Sequence, residues 1–265
     1  MMYKRNWIGF FTAAIAVIVV ALAGCGNRQG DVTTETTKQT ASGPPPRPVD
    51  PATVGAVTGT VSFDGTRPKP QSINMDQDPT CTEKHHGPVT AEDGAVNQNG
   101  TLPNVFVFVK TGAEKYAFAP PVDPVVLDQN GCMYKPHVVG LMAGQILKII
   151  SSDDTTHNVH PIPQNNREWN MSQKPGDAPL VQKFARPEIM IPVKCNQHPW
   201  MRAWIGVTSN PYFSVSGSDG SFILKGLPPG NYTIDAWTAT FGTQEQKVTV
   251  GAKETKTLDF KFKAP

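Results

Sequence analysis

Short runs rich in valine, isoleucine, threonine and phenylalanine, cut apart by proline and glycine, limit how this chain can fold more than any other feature. From Val54 onward they read AVTGTVSF, NVFVFVK, PVVLD, QILKIISS, PLVQKF, EIMIPVKC, RAWIGVTS, YFSVSG, SFILKG, NYTIDAWT, QEQKVTVG and TKTLDFKF. β-Branched and aromatic side chains suit a pleated surface, and proline and glycine supply the dihedrals of the turns between strands. With 25 prolines and 23 glycines in 265 residues, long helices have little room, and the spacing predicts an all-β chain of sandwiches. About 210 residues is much for one sandwich, so two β units are expected, with a boundary near Ser209–Tyr212.

Ahead of the strands lies MMYKRNWIGFFTAAIAVIVVALAGC, a short basic region, an apolar stretch and small residues before Cys25. That order is the pattern of an export signal. The apolar stretch approaches the roughly 20 residues of a membrane-spanning helix, so an uncleaved anchor is the competing reading. The ending decides for export: LAGC, Leu22 to Cys25, resembles the bacterial lipobox and implies cleavage before Cys25 and its diacylation. Residues 1–24 are then a signal peptide and the mature protein is a lipoprotein, membrane-attached in the cell envelope and facing the periplasm or exterior. The uncharged Gly26 favours an outer membrane where the cell has one. Residues 25–53 are poor in apolar side chains and rich in Thr, Gly and Pro, which predicts a disordered tether that stiffens through Pro44 to Pro48.

Only 17% of the residues are charged and the formal balance is +2, with Lys4 and Arg5 in the leader. No basic run interleaved with aromatics offers phosphates an electrostatic partner, so nucleic acid is excluded.

The segment KCNQHPWMRAW, Lys194 to Trp204, sets a thiol, an imidazole and a thioether at intervals of three. Strand-like runs flank it, so Cys195, His198 and Met201 share one short loop at the end of a sandwich. SSDDTTHNVHP supplies a further donor, His157, after the strand QILKIISS. One thiolate, two imidazoles and a weak axial thioether are the ligand set of a mononuclear electron-transfer copper site. Sulfur favours Cu(I), imidazole accepts Cu(II), and a rigid site of intermediate geometry changes little between them. Structural zinc takes four closed N/S ligands and has no use for methionine. A nucleophile and base made of Cys195 and His198 would be poorly placed on so tight a loop.

The stretches HVVGLMAGQILKIISSDDTTHNVH and VQKFARPEIMIPVKCNQHPWMRAWIGV together resemble the cupredoxins of the amicyanin and pseudoazurin type. The resemblance implies a Greek-key sandwich with His157, Cys195, His198 and Met201 as copper ligands, and Asn158 bracing the two ligand loops by hydrogen bonds. Ile191, Pro192 and Val193 stand where aromatics often precede the cysteine, and Gln197 where proline often precedes the histidine. Neither departure removes a ligand. The ligand loop further predicts that His198 projects its outer edge to the surface between Pro199 and Trp200, where a redox partner docks.

DGSFILKGLPPGNYTIDAW, within the last residues, resembles the carboxypeptidase regulatory-like modules, small transthyretin-like sandwiches without an active site. VTGTVSFDG at Val57–Gly65 has a similar opening. The expected division is therefore 54–102 as an N-terminal β segment, 103–210 as the copper domain and 211–265 as the regulatory-like sandwich. Cys81 and Cys132 remain, and in an oxidising compartment they form a disulfide closing a loop of about 50 residues. A second metal site, using those cysteines with His85, His86 and His137, is the alternative. The function expected is a lipid-anchored copper protein that carries single electrons between redox protein partners and is not an enzyme. The six histidines contain no paired His-x-His of the kind oxidases use. A cell-surface binding or scaffold module without copper is the other reading.

Overall fold

The computed structural model describes residues 47–264, so the leader, Cys25 and most of the expected tether lie outside the described residues. The chain opens with β1 (Gly55–Asp64), then β2 (Ser72–Ile73), the one-turn helix α1 (Pro79–Glu83), β3 (Val89–Thr90) and β4 (Phe106–Thr111). There follow β5 (Val125–Gln129), β6 (Tyr134–Lys135), β7 (Val138–Met142), β8 (Leu147–Ser151), β9 (His157–Pro161), β10 (Met171–Gln173), β11 (Leu180–Gln182), β12 (Glu188–Lys194) and β13 (Arg202–Thr208). It closes with β14 (Phe213–Val215), β15 (Ser221–Leu227), β16 (Gly230–Thr238), β17 (Gly242–Val250), β18 (Thr255–Thr257) and β19 (Phe260–Lys263). The chain is all-β, as its sequence predicts, and each of the expected strand runs contributes to a strand.

Two sheets, β10-β9-β12-β13-β7 and β11-β8-β5-β6, face each other to form one sandwich. Alternation sends Ile191 and Val193 of β12, Ala203, Ile205 and Val207 of β13, and Leu147 and Ile149 of β8 into a shared core. The second sandwich joins β15-β1-β18, with β19 also on β1, to β14-β4-β16-β17. Here Val57 and Val61 of β1, Val107 and Val109 of β4, and Tyr232, Ile234 and Ala236 of β16 make the core.

Strand pairing divides the chain differently from the expected 54–102, 103–210 and 211–265. β1 runs antiparallel to β15 and parallel to β18 and β19, so VTGTVSFDG belongs with the C-terminal strands. β4, expected to open the copper domain, pairs with β14 and β16. The sandwich of β5 to β13 is thus set into the chain between two strands of the other one. Membership of a sheet is decided by long-range pairing, which a run of alternating residues does not encode.

The two sandwiches also pack on each other. Phe106, Phe108, Val138 and Met190 form a third cluster with Phe213, Trp204 and Trp237 against it. Gly140 and Gly206 are paired neighbours on β7 and β13, and a Cβ on either would stand within 2.4–2.7 Å of a Phe106 or Phe213 ring. These glycines let aromatic rings lie flat on the backbone. At the other end of the tether, Arg47 bridges to Tyr116 and its guanidinium lies 5.6 Å over that ring. Lys253 N–H also donates to Thr53 O. Residues 47–53 are therefore attached to the sandwich by backbone bonds, not free as the expectation for 25–53 had it. Among the described residues no helix is long and apolar enough to cross a membrane.

Candidate metal centre

The antiparallel register Lys194↔Arg202 brings the ends of β12 and β13 together and leaves residues 195–201 as the connecting loop. The loop is tight: Cys195 N–H donates to Met201 O (3.2 Å), Met201 N–H to His198 O (2.9 Å), and His198 N–H to Cys195 Sγ (3.4 Å). His157 enters from the first residue of β9, whose partner β12 carries Cys195 at its end. The ligand atoms of His157, Cys195 and His198 all lie within 4.8 Å of one another, and all three residues are buried. The two Nδ1 atoms face each other at 2.8 Å, and Cys195 Sγ is 3.6 Å from Nδ1 of His198. Met201 is fully buried in the same loop and the same core cluster.

Asn158 ties the two segments together. Its Oδ1 accepts from Asn196 N–H at 2.8 Å and lies 3.4 Å from Cys195 Sγ, while its Nδ2 donates to Asn170 Oδ1.

Electrostatics prepare the thiol. Burial pushes Cys195 up, but the His157 imidazole and the backbone around Asn158, Gln197 and His198 outweigh burial and bring the thiol down to about 6. Burial pushes His157 down, but Asp153 and Cys195 outweigh it and raise the imidazole to about 9. Both shifts favour the charged forms, and the thiolate is the form that binds metals. Tyr134 is driven up by burial and by the nearby Cys195 charge. Only 2% of the Cys195 surface is exposed. A sulfur and two imidazole nitrogens converging in a buried pocket fit copper, whose binding would displace the proton that His157 holds.

Two side chains that sequence reading missed complete the site. Asp153, buried, accepts from the amides of Gly131 and Cys132 (both 2.7 Å) and meets Nε2 of His157 at 2.9 Å. Asp78, at the N-terminus of α1, meets Nε2 of His198 at 3.0 Å. The proximity of Asp153 to His157 in SSDDTTH was a usable signal. Asp78 lies 120 residues from His198, and nothing local marks it.

His198 therefore departs from expectation. It is only 4% exposed, because α1 and Asp78 cover the edge that was to reach the surface. Pro199 is exposed, and Trp200, half-buried, lies 5.1 Å from the His198 ring and donates its indole N–H to Cys132 O. Both line an open groove of about 370 Å³ together with Ile73, Met133 and Arg202.

The expected disulfide is present between Cys81 and Cys132. The alternative second metal site does not assemble: His85 pairs with Gly131 O, His137 with Asp93 and Arg202 O, and His86 is exposed. His160 is engaged by Glu168 and Asn196.

The carboxypeptidase regulatory-like domain family model matches residues 203–263. No curated protein shows a significant match to the chain. Among solved structures, the chain is similar to a Cu-containing nitrite reductase from Thermus scotoductus SA-01, at 20% identity over 36% of this chain, with a TM-score of 0.32. It spans 24% of that reductase. It is also similar to a purple cupredoxin from Nitrosopumilus maritimus (18% identity, 32% of this chain, 99% of that one, TM-score 0.28). A mutant of amicyanin in the Cu(I) form matches at 17% identity over 38% of this chain and 98% of that one, with a TM-score of 0.28. The chain is thus similar to the carboxypeptidase regulatory-like domain over residues 203–263, less than a quarter of its length.

Proposed function

We propose that this protein is a type 1 copper protein that carries single electrons between redox partners, anchored outside the cytoplasm by a lipid on Cys25. The observation that carries the reading is the meeting of His157 Nδ1, His198 Nδ1 and Cys195 Sγ in one buried pocket, with Met201 in the same loop. Copper bound there would supply a one-electron couple between Cu(I) and Cu(II).

The chain's own residues do the rest. Cys195 presents a thiolate, and Asn158 restrains its loop. The apolar core around Met201 excludes water, and the backbone bonds of the loop oppose the rearrangement that would slow transfer. The covered edge of His198 moves the expected docking point sideways, to the exposed Pro199 and the half-buried Trp200 beside it. Trp200→Ala is expected to keep the copper and slow exchange with the partner.

The test is redox cycling of the detergent-solubilised mature protein. One copper per chain, passing reversibly between ferricyanide and ascorbate with no substrate consumed, supports the reading. A protein that retains no copper after gel filtration and binds a glycan or protein surface instead would be the scaffold module. Cys25→Ala is expected to release the protein from the membrane or to block its processing. Attachment at the mature size in that variant contradicts the anchor.

A further inference from the structure

We infer that Asp78 is a positioning residue for His198, and that the Cys81–Cys132 bridge is what holds it in place. The inference rests on the copper reading and adds to it a part of the chain far from the ligand loops.

An imidazole that ligates through one nitrogen has its tautomer and ring angle set by the partner of the other. Both histidines here have a carboxylate at Nε2: Asp153 at 2.9 Å from His157 and Asp78 at 3.0 Å from His198. Each carboxylate accepts from Nε2–H and leaves Nδ1 turned to the common point where the two rings meet. The rings stand nearly edge to face, at 69°, with centroids 4.7 Å apart. Neither can rotate without giving up its carboxylate.

The two aspartates are held differently. Asp153 sits on the turn just before its own histidine, gripped by two amides. Asp78 is brought from a distant segment, and its second oxygen caps α1 by accepting from Thr80 N–H at 2.8 Å. Thr155 Oγ1 also donates to Asp78 Oδ2 at 3.0 Å. A helix of five residues is too short to hold its own shape. What fixes it is Cys81, in the middle of the helix and fully buried, bonded to Cys132. The far end of the bridge is itself part of the site: Cys132 N–H donates to Asp153, and Cys132 O accepts from Trp200. One covalent link therefore ties both carboxylates and the tryptophan beside His198 into a single clasp.

The competing account makes Asp78 a helix cap and no more. Asp78→Asn separates the two. Asparagine caps a helix as well as aspartate does, so α1 keeps its start, but the oxygen facing His198 is replaced by an amide donor. In the metal-free protein, nitrogen NMR is expected to show wild-type His198 as a single Nε2–H tautomer with a slowly exchanging proton. Asp78→Asn should lose that signature, and its affinity for added Cu(II) should fall about 10- to 100-fold. The double variant Cys81→Ser with Cys132→Ser should reproduce both effects, and adding Asp78→Asn to it should change little further.

An unchanged His198 signature and Cu(II) affinity in Asp78→Asn would reduce Asp78 to a cap and overturn the inference. Full additivity with loss of the bridge would overturn the role given to Cys81 and Cys132. If the wild type takes up no copper, the copper reading fails, yet the NMR comparison still decides whether Asp78 sets the ring.

Discussion

A carboxylate held by backbone amides stays ionised further into acid than one in water. Glu188, at the start of β12, shows this away from the ligand pocket. Burial pushes its carboxyl up, but the amides of Gln164 and Asn165 and the Asn166 side chain outweigh burial and lower it. A lowered folded value contributes stability that is present above the ordinary glutamate range and is lost as pH falls through the folded value. Thermal melts from pH 6 to pH 3, roughly the span in which carboxylates titrate, should therefore fall more steeply for the wild type than for Glu188→Gln. Parallel curves would contradict the pairing. The nearness of Cys195, His198 and Met201 was legible in sequence because they share one loop, where spacing alone implies proximity. Asp78 was not legible, because a carboxylate far off in sequence reaches its partner only through the fold. For the same reason the covering of His198 was hidden: α1 reads as an ordinary Asp-Pro turn start, and nothing in DPTCTE shows what lies beneath it.

At the scale of elements, β2, α1 and β3 have little hydrogen bonding of their own, and their attachment depends on Cys81, Met75 and the flanking Ile73 and Val89 reaching the core. The bridge closes a separation of 51 residues, worth about 4 kcal/mol by restriction of the unfolded chain. Denaturant unfolding of Cys81→Ala with Cys132→Ala should show a loss of that order. A loss below about 1 kcal/mol would mean that the unfolded chain already holds this segment close. The individual strands were legible, since alternation of buried and exposed residues survives in β1, β15 and β16 as their sequences suggest. Their partners were not. VTGTVSFDG and NVFVFVK look like the openings of separate units, and only pairing with β15, β14 and β16 assigns them to the last third of the chain.

At the scale of the whole molecule, the sandwich of β5 to β13 is one continuous length of sequence that interrupts the other, whose strands come from both sides of it. Cutting the chain after residue 210 would remove β14 to β19 and strip β1 and β4 of every strand they pair with. Val57, Val61, Val107 and Val109, all at most 2% exposed, would then face water. Residues 54–210 produced alone should aggregate. A soluble monomer with its own cooperative unfolding would contradict the nested arrangement. The central claim, that the pocket of His157, Cys195, His198 and Met201 holds copper through a thiolate, is tested most directly by the visible absorption spectrum of the Cu(II)-loaded mature protein. Intense thiolate-to-copper absorption, one copper per chain, and loss of that absorption in Cys195→Ser at unchanged fold are the results predicted. A colourless protein, or a colour that survives Cys195→Ser, would contradict it.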